Sequence, residues 1–366
     1  MITTVRALSA RWTVATPLVA VVLLAFTWGR ELPGAVVAVV AVVLAVSVLA
    51  AVHHAEVVAH RVGEPFGSLV LAVAVTIIEV ALIVTLMADG GAKSSTLARD
   101  TVFAAVMITC NGIVGVSLLA AALRHRVAIF QSEGTGGALA TVATLATLCL
   151  VLPTFTTSKL GPEFSTSQLV FSAVSALVLY GLFVATQTVR HRDYFLPITR
   201  HGEVIDADDH ADVPSNRTAL LSLGLLALAL VAVVGLTKGV SKTIEHGVAA
   251  AGMPQAVVGV IIALLVLLPE TIAALRAARR DRVQTSLNLA LGSSMASIGL
   301  TVPAVAIASY WLTGPLVLGL GATHMVLLAL TMVIATLTIV PGRATPLQGG
   351  VHLVILAAYI ELAVTP

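Results

Sequence analysis

LVLAVAVTIIEVALIVTLM, residues 69–87, and AVVGVIIALLVLLPETIAAL, residues 256–275, each hold one glutamate inside an apolar run with no other charge. At about 1.5 Å of helix rise per residue, runs of this length match the roughly 30 Å of bilayer hydrocarbon. Glu79 and Glu270 therefore fall towards the bilayer interior. A charge at the centre of a membrane helix costs about 2.5–3.5 kcal/mol on the insertion scale. A chain that carries this cost twice has a use for the carboxylates: to hold a cation, a proton, or each in turn.

The rest of the chain agrees with that setting. Of 366 residues, 58% are hydrophobic and 10% charged, which excludes a soluble domain and reads as an all-α polytopic membrane protein. A net charge of +2 and 4% aromatic residues give no nucleic-acid surface and no base-stacking platform. Cys110 and Cys149 both sit in apolar runs and read as small buried hydrophobes, with no disulfide or zinc pattern. Arg6 and Arg11 before an apolar run from Trp12 imitate a signal peptide. No small-x-small cleavage site follows, so the run reads as a first membrane helix.

Apolar runs between polar breaks predict eleven transmembrane helices, at 12–28, 34–56, 67–88, 101–122, 137–152, 167–188, 218–237, 254–275, 285–310, 316–340 and 348–364. Gly134-Thr135-Gly136-Gly137 reads as one of the breaks. Of the 20 Lys and Arg, only Arg30, Lys93, Arg99, Lys159, Lys238 and Lys242 lie on the side opposite the N-terminus. The positive-inside rule then puts the N-terminus in the cytoplasm, and an odd number of spans puts the C-terminus outside. The organisation expected is an N-terminal segment with an extra helix (1–33), a five-helix half (34–188), a cytoplasmic acidic and histidine-bearing loop (189–217), and a second five-helix half (218–366). Glu79 and Glu270 lie on the second helix of each half. Five spans apart, those helices run in opposite directions, the arrangement of two inverted repeats with a site at their interface near the midplane.

Two further groups bear on chemistry. His53, Glu56 and His60, with His54 beside them, fall at i, i+3 and i+7 on one face at the cytoplasmic end of the second helix. That face suits proton entry or pH sensing, a hydrogen-bonded helix end, or a transition metal. The segment 201–212 holds Glu203, Asp206, Asp208, Asp209 and Asp212 without the spacing of a calcium loop, and reads as a solvated connector. Without a Walker motif, direct ATP coupling is not expected, and no cofactor is called for. The competing classes are an intramembrane metal-dependent enzyme built on His53, Glu56 and His60, a passive cation channel, and an exporter of organic cations.

The stretches His53-His54-Ala55-Glu56, Gly63-Glu64-Pro65, Ile77-Ile78-Glu79, Pro269-Glu270, Asn288 to Ser294 and Leu300-Thr301-Val302-Pro303 resemble the cation/calcium exchanger superfamily. Within it they are most similar to the bacterial Cha-type calcium/proton (sodium–potassium/proton) antiporters. The resemblance covers the chain from about residue 34. It implies ten helices in two inverted repeats after an extra first helix, in a bacterial cytoplasmic (inner) membrane, with Glu79 and Glu270 as cation ligands. It implies completing groups at Thr109 and Asn111, and at Asn288, Ser293 and Ser294. The carried-over activity is secondary exchange, Ca²⁺/H⁺ first, with Na⁺/H⁺ or K⁺/H⁺ open beside it. One departure bears on the cation. Where the better-defined calcium/proton branch has Gly-Asn-Ala-x-Glu, this chain has Val75-Thr76-Ile77-Ile78-Glu79 and Val266-Leu267-Leu268-Pro269-Glu270. The amide oxygens are replaced, and Thr76 alone offers a partial substitute.

Overall fold

The computed structural model describes residues 2–30, 32–63, 66–90, 94–198, 213–312 and 314–366. Among them, ten helices are long and apolar enough to cross a membrane, and Trp12–Thr27 adds a shorter apolar one. The eleven expected spans are present. The acidic segment 201–212, Glu64 and Pro65 lie outside the described residues. The chain packs as two compact units, Met1–Gly91 with Ala211–Gly252, and Ala92–His210 with Met253–Pro366. Each unit draws helices from both halves of the sequence.

The first unit contains α1 (Ile2–Thr27), α2 (Gly34–Val62), α3 (Phe66–Gly90) and α9 (Asn216–Ala250). α9 packs on α1, α2 and α3. His54 ties three of these helices: its Nε2 lies 3.0 Å from the Thr13 carbonyl of α1, and its Nδ1 lies 3.3 Å from Ser222 Oγ of α9. Arg61 Nε donates to Asn216 Oδ1 at 2.7 Å. α9 outruns its expected end at 237 because Lys238 and Lys242 end the apolar run without breaking the helix. The stop comes where Gly252 turns the chain at φ 69°.

The second unit is built around the span Leu97–His125, of which 89% is buried, the most of any span. This span is α4 (Leu97–Met107), a π-helical turn (Ile108–Ile113) and α5 (Val114–His125). Around it lie α6 (Ser132–Ala146), α7 (Leu152–Phe155), α8 (Thr166–Ala185), α10 (Ala256–Arg279), α11 (Val283–Gly299), α12 (Thr301–Ala308), α13 (Ala322–Ile339) and α14 (Pro346–Val364). β1 (Ala128–Ile129) pairs antiparallel with β2 (Arg343–Ala344). α8 presents Val170, Phe171, Val174, Val178 and Leu182 outward, the exposed apolar face of a helix made for lipid.

Two expected boundaries move. The helix expected from 137 begins at Ser132 and runs through all three glycines read as a break. Gly134 is there for a close approach, since a Cβ on it would stand 2.2 Å from the Tyr194 carbonyl oxygen. The helix expected over 316–340 begins only at Ala322. The apolar residues before it run without helix, with Gly319 N–H bonded to the Pro162 carbonyl and Leu320 N–H to the Leu150 carbonyl. Apolarity does not separate a buried extended segment from a helix.

Candidate functional site

Each unit carries one of the two membrane carboxylates. In the first, Glu79 is 2% exposed on α3, with Thr76 buried one turn earlier. Ile78, Leu82 and Ile83 beside it on the helix are also buried. α3 packs against α2 and α9. Burial on this scale comes from the sequence: an all-apolar helix is covered wherever neighbours meet it.

In the second unit Glu270 lies within α10, directly after Pro269. Proline has no N–H, so the Leu265 carbonyl one turn earlier lacks its intrahelical donor and is free to face an ion. Glu270 Oε2 is buried. Thr271, next in the chain, turns its hydroxyl back to the Leu267 carbonyl at 2.7 Å. α10 packs against α4, the π-turn, α5 and α11. Those segments carry Thr109, Asn111, Asn288, Ser293 and Ser294, so all five of the expected completing residues lie on elements that touch the Glu270 helix.

Their side chains differ in what they can offer. Ser294 is fully buried next to the Cys110 thiol, and Ser293 is half-buried. Thr109 Oγ1 donates to the Ala105 carbonyl at 2.8 Å, a back-bond that leaves its lone pairs available. Asn111 is committed at both ends of its amide. Its Nδ2 donates to Thr331 Oγ1 at 3.0 Å, and its Oδ1 lies 3.1 Å from His352 Nδ1. Asn288 stands near the start of α11, where its Nδ2 donates to the Phe195 carbonyl at 2.6 Å and its Oδ1 accepts from Gln284 Nε2 at 2.9 Å. Gln284 continues this chain to the Gln131 N–H and to Thr135.

His53, Glu56 and His60 share an exposed face of α2, while His54 turns inward to its two partners. Among the described residues no three His, Cys, Asp or Glu gather as a metal site. Cys110 and Cys149 are buried free thiols, as their positions in apolar runs predict.

Two groups escape the sequence reading. Asp100 is buried at the start of α4, where Arg99 Nη2 reaches its Oδ1 at 2.7 Å and Thr96 Oγ1 donates to its Oδ2 at 2.8 Å. Arg99 also donates to the Gly319 carbonyl at 3.1 Å, so the pair pins the segment before α13. The signal available was an Arg-Asp dipeptide at a helix start. The other group is His352, Thr331 and Thr338. A lone histidine in a membrane helix reads as packing, although intramembrane ionisable residues point to function by default.

The chain matches the family described as sodium/calcium exchanger protein over residues 32–189 and 221–365. It is 46% identical to the "Putative ionic transporter y4hA" of Sinorhizobium fredii over 97% of this chain and 96% of that one. It is 35% identical to the "Sodium-potassium/proton antiporter ChaA" of Escherichia coli, covering 94% and 93%. The structure of native YfkE superposes with a TM-score of 0.71 at 15% identity, covering 97% of this chain and 99% of that one. A crystal structure of the H⁺/Ca²⁺ exchanger CAX gives 0.68 at 15% identity, covering 96% and 91%.

Proposed function

The chain belongs to the sodium/calcium exchanger protein family, a family of membrane transporters and not of enzymes, and from that premise we propose that it is a secondary cation/proton antiporter whose cargo binds at Glu79 and Glu270. The observation that carries this reading is the burial of one carboxylate on each of two apolar spans. The family matches two stretches of the chain, which supports the inverted halves 34–188 and 218–366. Second helices five spans apart run in opposite directions, as two inverted repeats require.

The coupling follows from charge. With both acids ionised, the empty site carries two negative charges in a medium that disfavours even one. Two protons neutralise it, as does one divalent cation, or one monovalent cation with one proton. Neutral loaded forms reorient between the two sides of the membrane, and the doubly charged empty form does not. Protons and cations therefore compete for the same oxygens and move in opposite directions.

Among Ca²⁺, Na⁺ and K⁺, we place the monovalent ions first. Ca²⁺ takes six to eight oxygens. Asn111 and Asn288 both have their amide oxygens engaged within the protein. Two carboxylates, the hydroxyls of Thr76, Thr109, Ser293 and Ser294 and the Leu265 carbonyl remain, enough oxygens for that shell, so oxygen count alone does not choose the ion. The printed name of the Escherichia coli relative, a sodium-potassium/proton antiporter, agrees with this order. The sequence reading had put Ca²⁺ first.

The test is proton movement in everted vesicles from cells lacking background antiporters, followed with a pH dye as each cation is added. Na⁺ or K⁺ collapses the acid-inside gradient at lower concentration than Ca²⁺. Glu79→Gln and Glu270→Gln each abolish the collapse. Normal exchange in either variant sinks the proposal, and a response to Ca²⁺ alone reverses the cation order.

A further inference from the structure

His352 is fully buried midway along α14, and its ring joins three elements. Its Nδ1 lies 3.1 Å from Asn111 Oδ1, an atom that can only accept, so Nδ1 carries the proton. In the neutral ring Nε2 then accepts from Thr338 Oγ1, 3.2 Å away on α13. Asn111 passes the direction on: its Nδ2 donates to Thr331 Oγ1, which reaches Met107 Sδ at 3.6 Å. Every donor in this chain points the same way, and every buried polar atom of the ring is bonded.

The backbone is arranged to bring the ring there. A Cβ on Gly349 would stand 2.7 Å from the Leu119 amide nitrogen, and one on Gly115 3.0 Å from His352 Cβ. α14 and α5 therefore cross backbone to backbone one turn before His352. The residue the ring holds, Asn111, belongs to the turn that packs on α10, the Glu270 helix, and on α11, which carries Ser294. A leucine would fill the same space without holding the turn.

We propose that His352 is a positioning residue for cation binding. Through Asn111 it fixes the π-turn at 108–113 against the helix that carries Glu270. Its transport consequence rests on the antiport reading, and its structural half does not. Two amide variants separate the ring nitrogens. His352→Asn keeps a donor near the Nδ1 position. His352→Gln moves the amide towards the Nε2 position and leaves Asn111 Oδ1 without its donor.

In vesicles, H352N keeps the KM for the cation within about twofold of the parent, whereas loss of the buried bond in H352Q raises KM about tenfold with kcat little changed. In purified protein, hydrogen–deuterium exchange over residues 108–113 is about tenfold faster in H352Q and unchanged in H352N. Thr338→Val removes only the Nε2 partner and behaves as the parent. Asn111→Ser, which withdraws the acceptor, reproduces H352Q, and the double variant is no worse than either single one. Equal behaviour of H352N and H352Q overturns the inference, as does T338V matching H352Q or an additive double variant. If the parent itself exchanges no cation for protons, the antiport reading falls, and hydrogen exchange over 108–113 still decides the positioning role.

Discussion

Asn288 has its amide committed at both ends, to the Phe195 carbonyl and to Gln284. Its work is to anchor the first turns of α11 to the segment after α8. Removing it leaves a buried carbonyl and a buried amide short of a partner, a loss of about 1–3 kcal/mol. Asn288→Ala should therefore lower the thermal midpoint in detergent while the order of Na⁺, K⁺ and Ca²⁺ in vesicles stays as in the parent. A changed cation order with unchanged stability would make Asn288 a ligand after all. This residue also marks what single side chains reveal. Glu79 and Glu270 stand out in the sequence because an acid inside an apolar run long enough to span is costly and therefore rare. Asn111, Asn288 and His352 were legible only as polar groups in membrane helices, since an amide or imidazole serves an ion or a neighbouring helix equally well. The partner that decides lies 241 residues away in sequence for Asn111 and His352.

At the scale of elements, the glycines of the second unit mark contacts that no apolar pattern records. Gly349 lets α14 lie against the backbone of α5, and Gly134 does the same for α6 and Tyr194. Small residues at helix crossings are how membrane helices approach closely. A Cβ at Gly349 meets backbone, which cannot swing aside as a side chain tip would. Gly349→Ala should destabilise the protein by about 1–3 kcal/mol, the usual cost of overpacking. It should also raise the cation KM, because the same crossing delivers His352 to the π-turn. Thermal unfolding and vesicle kinetics on one preparation check both. Gly350→Ala, where a Cβ meets nothing within 4 Å, is the matched control. The helices themselves were largely readable, since twenty apolar residues leave few alternatives to a span. The π-turn was not, because Ile108–Ile113 lies inside one unbroken membrane run, where hydropathy marks a span and not its helical type. Neither was the extended stretch before α13, whose partners at Leu150 and Pro162 are distant in sequence.

The whole molecule adds a prediction that depends on every span at once. Fourteen of the 20 Lys and Arg lie on the side of the N-terminus if all eleven helices cross. The reading is sensitive to α1, whose apolar part Trp12–Thr27 is the shortest. If α1 crosses, the ends of the chain are on opposite sides; if it lies along the surface, they share a side. His54 bears on this, because its bond to the Thr13 carbonyl holds α1 to α2 at the level of a buried ring, with Ser222 of α9 on the other nitrogen. A helix held that way, along a partner that spans, itself spans. The C-terminus is therefore expected outside and the basic loop after α5, with Arg124 and Arg126, inside. Alkaline phosphatase fused after Pro366 should be active and a green fluorescent protein fused there dark, while a cysteine placed at Arg126 should resist impermeant thiol reagents in intact cells. Seven spans separate Arg126 from Pro366, so α1 is read at the N-terminus instead: with the C-terminal phosphatase active and Arg126 protected, an N-terminal tag cleaved by external protease in intact cells would mean that α1 does not cross. A fluorescent C-terminal fusion with Arg126 labelled from outside would mean that the ten spans after α1 are inverted, and that the positive-inside count is overruled here by the sequence of insertion.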